Sequence, residues 1–301
     1  MLNDLLTIDS LTRKDVEEIF KLTRKLKSDL KKGKSKPVLA GKTLAMIFHK
    51  PSIRTRVSFD VAMYQLGGHV IKMTNEDIQI GKRESIEDIA KTLSRFVNGI
   101  MIRTFEHQDV VDLAKYASIP VINGLTDYSH PCQALTDMYT IKEKLGDLSK
   151  VKLAYIGDAN NVARSLINLA KLLKMELHIA SPRGYQPDQE MLKNAPTVKI
   201  FKEAKEAVKN VDVVYTDTWV SMGQEEEAEK RKKIFEPFRL DAQLLSYAKP
   251  KALVMHCLPA HRGQEITDEV INSPSSIVFD QAENRLHVQK AVLVLLLKKQ
   301  A

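Results

Sequence analysis

The stretch "TLAMIFHKPSIRTRVSF", Thr43 to Phe59, joins a short apolar run to an amphipathic one. The corner between them, Ser52 to Arg56, places two arginines and two small hydroxyl residues within five positions. An apolar run of strand length that turns into a helical pattern is the first half of a strand-to-helix unit. The same alternation continues through "HVIKM" (69 to 73), "GIMIR" (99 to 103) and "PVING" (120 to 124), with helical patterns near 56 to 66, 85 to 97 and 109 to 117. Strands that alternate with helices predict a parallel sheet covered by helices. A helical segment from about Cys132 to Leu145, ending at Gly146, leads to a second series of expected strands: "VKLAYIGD", "ELHIAS", "TVKIF", "VDVVYTD", "ALVMHC" and "SSIVFD". Upstream, Thr12 followed by Asp15 has the form of a helix start, and Val16, Ile19, Phe20, Leu26 and Leu30 then recur at helical spacing. The last segment, "AENRLHVQKAVLVLLLKK", reads as a long helix apolar enough to be largely buried.

The 301 residues suffice for two domains, each with its own core. The longest nearly unbroken apolar run, "AVLVLLL" from Ala291 to Leu297, falls short of the roughly 20 residues of a membrane span. The N-terminus has no basic region followed by an apolar block. The expectation is a soluble cytoplasmic protein with no membrane partner. Two cysteines, Cys132 and Cys257, are too few for a disulfide framework or a Cys-based zinc module, which suits a reducing compartment. The net charge of +8 would suit nucleic acid, a small anionic substrate or a basic solvated surface. Much of the excess lies in "RKLKSDLKKGKSK" (Arg24 to Lys36), read as a solvated helix end and loop without the interleaved aromatics of single-strand binders. No nucleic-acid partner is expected. "QEEEAEKRKK" (224 to 233), whose Glu226, Glu227 and Glu229 precede Lys230, Arg231 and Lys233 by four residues, reads as a solvent-facing helix.

In a parallel α/β sheet, ligands sit at the carboxyl ends of strands, where loops enter helix N-termini. The polar residues at those ends converge on one kind of chemistry. Ser52, Arg54, Thr55 and Arg56 follow the first strand, Arg103 ends the third, and the fourth leads to "TDYSHPCQ" with His130 and Gln133. The second series delivers "GDANN" (Asp158 to Asn161), "YTDTWVSMG" (Tyr215 to Gly223) and "HCLPAH" (His256 to His261). Hydroxyls and N–H groups at a helix start, with an arginine fork beside them, point to phosphate. No Walker-type glycine-lysine run is present, which argues against a nucleoside triphosphate. Gly157 stands without a G-x-G-x-x-G fingerprint, which argues against a dinucleotide-dependent dehydrogenase. His256, Cys257 and His261 have no further ligands at metal-site spacing, so no metal is assigned.

Together "PSIRTRVSF", "HPCQALTD", "DTWVSMG", "HCLPAH" and "FDQAENRLH" resemble the ornithine carbamoyltransferases, in order and over almost the whole chain. The family commonly reads Ser-Thr-Arg-Thr-Arg in the first block; here Ile53 stands for the first Thr, which removes one hydroxyl. The resemblance implies an α/β fold of two doubly wound parallel-sheet domains joined by interdomain helices. It further implies a carbamoyl phosphate domain of residues 1–146 with helix 282–301 packed back on it, and an ornithine domain of residues 147–281. By the same resemblance Ser52, Ile53, Arg54, Thr55, Arg103, His130, Gln133, Cys257, Leu258 and Arg285 bind carbamoyl phosphate, with Gln79 reaching in from a neighbouring subunit. Asn161, Asp217, Ser221 and Met222 bind ornithine. Arg103, His130, Asp217 and Cys257 carry the catalysis. The implied assembly is a homotrimer or an assembly of trimers, and no cofactor is needed because the leaving group is already activated. A relative acting on another amine is the alternative, but aspartate-specific relatives lack "DTWVSMG" and have Pro at the place of Cys257.

Overall fold

The computed structural model describes residues 2–78, 84–223 and 225–298; Gln79 lies outside them. The described residues form two units. One runs to Thr136 and resumes at Asn284, and the other is Asp137–Glu283. Both boundaries fall inside helices, Pro131–Leu145 and Val278–Leu297.

The first unit is built on β1 (Thr43–Phe48), β2 (His69–Thr74), β3 (Gly99–Arg103) and β4 (Val121–Leu125), all parallel in the order β2-β1-β3-β4. β1 and β3 are apolar throughout their centres because helices cover both faces of a parallel sheet. The helix Ile53–Gln65 buries Thr55, Phe59, Ala62 and Met63, a stripe at i, i+4, i+7 and i+8. Truncating Phe59, which has no exposed surface, would cost about 3–5 kcal/mol. Helix Arg13–Lys31 starts with the expected capping box between Thr12 and Asp15. The end of the chain belongs to this unit: Lys27 Nζ donates to Asn284 Oδ1 at 2.7 Å, and Lys290 Nζ to Gln65 Oε1 at 3.0 Å.

The second unit carries β5 (Lys152–Ile156), β6 (Glu176–Ala180), β7 (Val198–Phe201), β8 (Val213–Thr216) and β9 (Leu253–His256), parallel in the order β7-β6-β5-β8-β9. Its core joins Ile156, Val208, Val214, Leu240, Val254 and Ile266. The sequence led to one strand too many. "SSIVFD" makes a single bridge, Ser276 to Val254, and then becomes helix from Val278. Its apolar pair Ile277 and Val278 is buried, so the pattern marked burial and not strand. No helix among the described residues is long and apolar enough to cross a membrane.

Each sheet reverses strand order once, between β1 and β3 and between β5 and β8. Loops leaving the strands on either side of such a reversal diverge and leave a crevice at the carboxyl ends. Gly157, the first residue beyond β5, has φ +143°, a conformation that side-chain-bearing residues rarely adopt.

Away from that crevice, Glu176 accepts from Lys199 Nζ at 2.8 Å and contacts His178 Nε2 at 2.7 Å. These bonds hold its carboxyl at about 2, against 4.5 for the ordinary group. A depressed carboxyl contributes stability that is complete above the unfolded value and is lost as pH falls through the folded one. Glu176→Gln should therefore lower the unfolding free energy at pH 7, measured by denaturant titration, by an amount on the order of 1 kcal/mol, screening included. That difference should shrink between pH 4.5 and pH 2.

Candidate active site

Two clusters occupy the strand ends on either side of the order reversals, one in each unit. In the first, Ser52 caps the helix Ile53–Gln65: its Oγ accepts from the Thr55 N–H at 3.2 Å and donates to Thr55 Oγ1 at 3.1 Å. Thr55 Oγ1 also accepts from Arg285 Nη2 at 3.3 Å, and Arg285 Nη1 donates to Gln133 Oε1 at 2.5 Å. Thr55, Arg103, His130, Gln133 and Arg285 are all buried. Burial pushes the His130 imidazole well below its ordinary range, and Arg285, Arg103 and Arg54 push it further the same way. The ring is neutral among three guanidinium groups, and those groups with a helix N-terminus make an anion site. Ile53 is 73% exposed at the first helical position, so its side chain contributes no buried contact, and Arg56 is exposed as well.

In the second unit Asp217, directly after β8, is 7% exposed. Its Oδ1 accepts from the Cys257 thiol at 3.0 Å and from the Thr218 N–H at 2.8 Å, and its Oδ2 from Asn160 Nδ2 at 3.0 Å. Cys257 stands directly after β9 and Asn160 in the loop after β5, so three adjacent strands deliver one cluster. Burial pushes the Cys257 thiol well above its ordinary range, and Asp217 and then Asp137 add to the shift. It is a neutral donor, not a thiolate. Leu258 follows at φ +59°, its N–H donating to His256 Nδ1 at 2.8 Å. Asp217, His256 and Cys257 bring one ligand-type atom each within 4.8 Å of one another. Both His256 nitrogens are engaged, by Leu258 and Glu265, and the thiol is engaged by Asp217, so each of these groups already has a hydrogen-bond partner in the protein. Ser221 is half-buried and Met222 is 40% exposed, on the loop that follows Trp219.

Three residues of this cluster escaped the sequence reading. Asn161 opens the helix Asn161–Leu173, but it is Asn160 that caps it, accepting from the Val162 and Ala163 N–H groups while holding Asp217. An Asn before a helical pattern is a cap signal that could have found it. The expected solvent-facing helix is the 3₁₀ turn Glu225–Glu227 and the helix Ala228–Phe235, and its Arg231 is 5% exposed. Arg231 keeps the predicted pairing with Glu227 at 3.2 Å, but Nη1 also donates to Asp158 Oδ2 at 2.7 Å and to the Trp219 carbonyl at 2.9 Å. It thereby ties the loop after β8 to the loop after β5. Glu265, wholly buried against His256, is the third.

Residues 3–143 match the family model of the aspartate/ornithine carbamoyltransferase carbamoyl-P binding domain, and residues 149–296 match that of its Asp/Orn binding domain. The chain belongs to the aspartate/ornithine carbamoyltransferase family. It is 52% identical to the ornithine carbamoyltransferase of Thermococcus kodakarensis, covering 98% of this chain and 96% of that one. It is 51% identical to the anabolic ornithine carbamoyltransferase of Pyrococcus furiosus, with coverage of 98% and 96%. The solved ornithine carbamoyltransferase structure from P. furiosus superposes with a TM-score of 0.97 at 50% identity, covering 99% of this chain and 98% of that one. Within this carbamoyltransferase frame, the first cluster apart from Arg285 lies in the segment matched by the carbamoyl-P model, and the second cluster, like Arg285, in the segment matched by the Asp/Orn model.

Arg231→Met would leave Asp158 buried without its cation, a change that typically costs about 3–5 kcal/mol. In denaturant titrations, adding Asp158→Asn to that variant should recover most of the loss. Additive losses would mean that the pair is not coupled.

Proposed function

We propose that this chain transfers the carbamoyl group from carbamoyl phosphate to the δ-amine of L-ornithine, giving L-citrulline and phosphate. The observation that carries the proposal is Asp217, a buried carboxylate held only by neutral donors among the described residues, in a chain half identical to curated ornithine carbamoyltransferases. Carbamoyl phosphate is assigned to residues 1–146 with 282–301, and ornithine to residues 147–281. Ser52 to Thr55, Arg54 foremost, receive the phosphate with Arg103, Gln133 and Arg285. The backbone at Ile53 serves there, and Cys257, Leu258 and Gln79 of a neighbouring subunit are assigned to the same substrate.

An unperturbed alkyl ammonium titrates near pH 10.4, so the site must select the neutral amine across about three units of pH. The thiol of Cys257 steers the amine, and Asp217 takes its proton. Asn161, Ser221 and Met222 hold the amino-acid end of ornithine. The nitrogen lone pair forms the new C–N bond while charge builds on the carbamoyl oxygen. Arg103, the neutral His130 and the Thr55 hydroxyl stabilise that charge, each such donor being worth on the order of 3 kcal/mol. The C–O bond to phosphate then breaks, and phosphate leaves into the arginine cluster. The anabolic relative supports a role in arginine biosynthesis, and the two free thiols support the cytoplasm as its place. Ile53, Val57 and Tyr64, exposed along one stripe of a single helix, support a homotrimer or an assembly of trimers.

Purified protein should form citrulline and release phosphate only when both substrates are present; equal activity with aspartate, putrescine or N-acetylornithine would refute the assignment. Arg54→Ala should weaken carbamoyl phosphate binding by about 10- to 100-fold in calorimetry, the scale of a lost charged hydrogen bond, while Asp217→Ala changes it far less. Sedimentation equilibrium should return a multiple of three chains, and Tyr64→Glu should lower that mass; a wild-type monomer would end the trimer proposal.

A further inference from the structure

The helix Val278–Leu297 carries a lysine that carbamoyl transfer does not use. Lys290 is 1% exposed, and its Nζ donates to Gln65 Oε1 at 3.0 Å. That acceptor is neutral, and among the described residues no carboxylate pairs with the amine. An ammonium group taken out of water without a counter-charge is costly to the fold. Burial accordingly pushes Lys290 down from the ordinary lysine value, with no opposing charge to hold it up.

The amine borders a cavity of about 60 Å³ that is also lined by Lys25, Asp29, Ser35, Lys36 and Gln65. A space of that size holds a few water-sized groups, enough for a small oxyanion and too little for a nucleotide. Its charged lining is three lysines against one carboxylate, and Asp29 already accepts from Lys25 Nζ at 2.8 Å. Lys36 and Lys290 are left in excess. Gln65 spends its oxygen on Lys290, so its Nε2 remains a donor, and the Ser35 hydroxyl is another. Ser35 and Lys36 precede β1, and Gln65 ends its helix just before β2. The cavity therefore lies at the amino ends of these strands, whereas Ser52 and Arg103 stand at the carboxyl ends of the same sheet. We propose that this cavity is a second anion site, taking a small tetrahedral oxyanion such as inorganic phosphate on Lys290, Lys36 and Gln65. The anion supplies the counter-charge that Lys290 lacks, through charge-assisted hydrogen bonds. It also joins the last helix to the helix Arg13–Lys31 and to the end of Ile53–Gln65.

Equilibrium dialysis against radiolabelled inorganic phosphate in the millimolar range, with ionic strength held at about 0.15 M to fix the screening, counts the anions held. Lys290→Met should hold one phosphate fewer per chain than the wild-type protein. Phosphate bound at the Arg54 cluster is common to both proteins and cancels, so the comparison stands even if the proposed function fails. Sulfate should displace the additional phosphate, and chloride at the same ionic strength should not. Equal counts in the two proteins would overturn the proposal. Displacement by chloride as readily as by sulfate would overturn it too, by reducing the effect to diffuse attraction to a basic surface. If Lys290→Met does not fold, Lys36→Glu alters an exposed position and should weaken the additional phosphate by about tenfold or more. Unchanged binding in that variant would equally end the proposal.

Discussion

The arrangement of the second unit depends on keeping the carboxylate of Asp217 at 7% exposure with a thiol, an amide and a backbone N–H as its donors. A buried negative charge is tolerated when it is well hydrogen-bonded, and each of its donors has to be held in turn. Asn160 is held by capping a helix, and Thr218 by adjacency in the chain. Cys257 is held by the turn that follows β9. Because all the donors are neutral, a cationic group is the electrostatic complement of the cluster. The first unit presents the opposite case, arginines gathered at a helix start, with a histidine that burial and like charge keep neutral. A substrate with an ammonium end and a substrate with a phosphate end thus meet different electrostatic conditions on two sheets of the same kind.

Much of this was legible in the sequence because it is local. The expected strands end at the residues named for the site, and period-2 and period-3.6 patterns carry their own evidence of burial. The residues missed act across distance. Arg231 lies in a run of alternating charges whose composition describes a wet surface, and the Glu227 pair on that surface exists. Nothing local says that this one cation turns inward to Asp158, 73 positions away. Asn160 and Asn161 differ only in which of them the helix start selects. "SSIVFD" was misread because burial of an apolar pair looks the same at a strand and at the first turn of a buried helix.

Three buried polar systems surround the end of β9: Asp217 with its donors, Gln281 with Asp137 and Tyr215, and His256 with Glu265. Buried networks of this sort are unforgiving, since one lost partner leaves a desolvated group behind. Their concentration at one strand end sets the geometry there more tightly than apolar packing would. It also raises the Tyr155 and Tyr215 phenols well above their ordinary range, by burial first and by the neighbouring carboxyls second. Both phenols therefore serve as fixed neutral rings.

The division of the chain also bears on its synthesis. The second unit is continuous from Asp137 to Glu283, whereas the first resumes only at Asn284. On a ribosome, where chains emerge from the N-terminus at about 5–20 residues per second, the inner unit has its whole sequence available before the outer one does. Within the first unit, the contacts that Lys27 and Gln65 make stay unmade until the helix Val278–Leu297 arrives. Arg285 comes with that helix, so the anion cluster is among the last features of the fold to be completed.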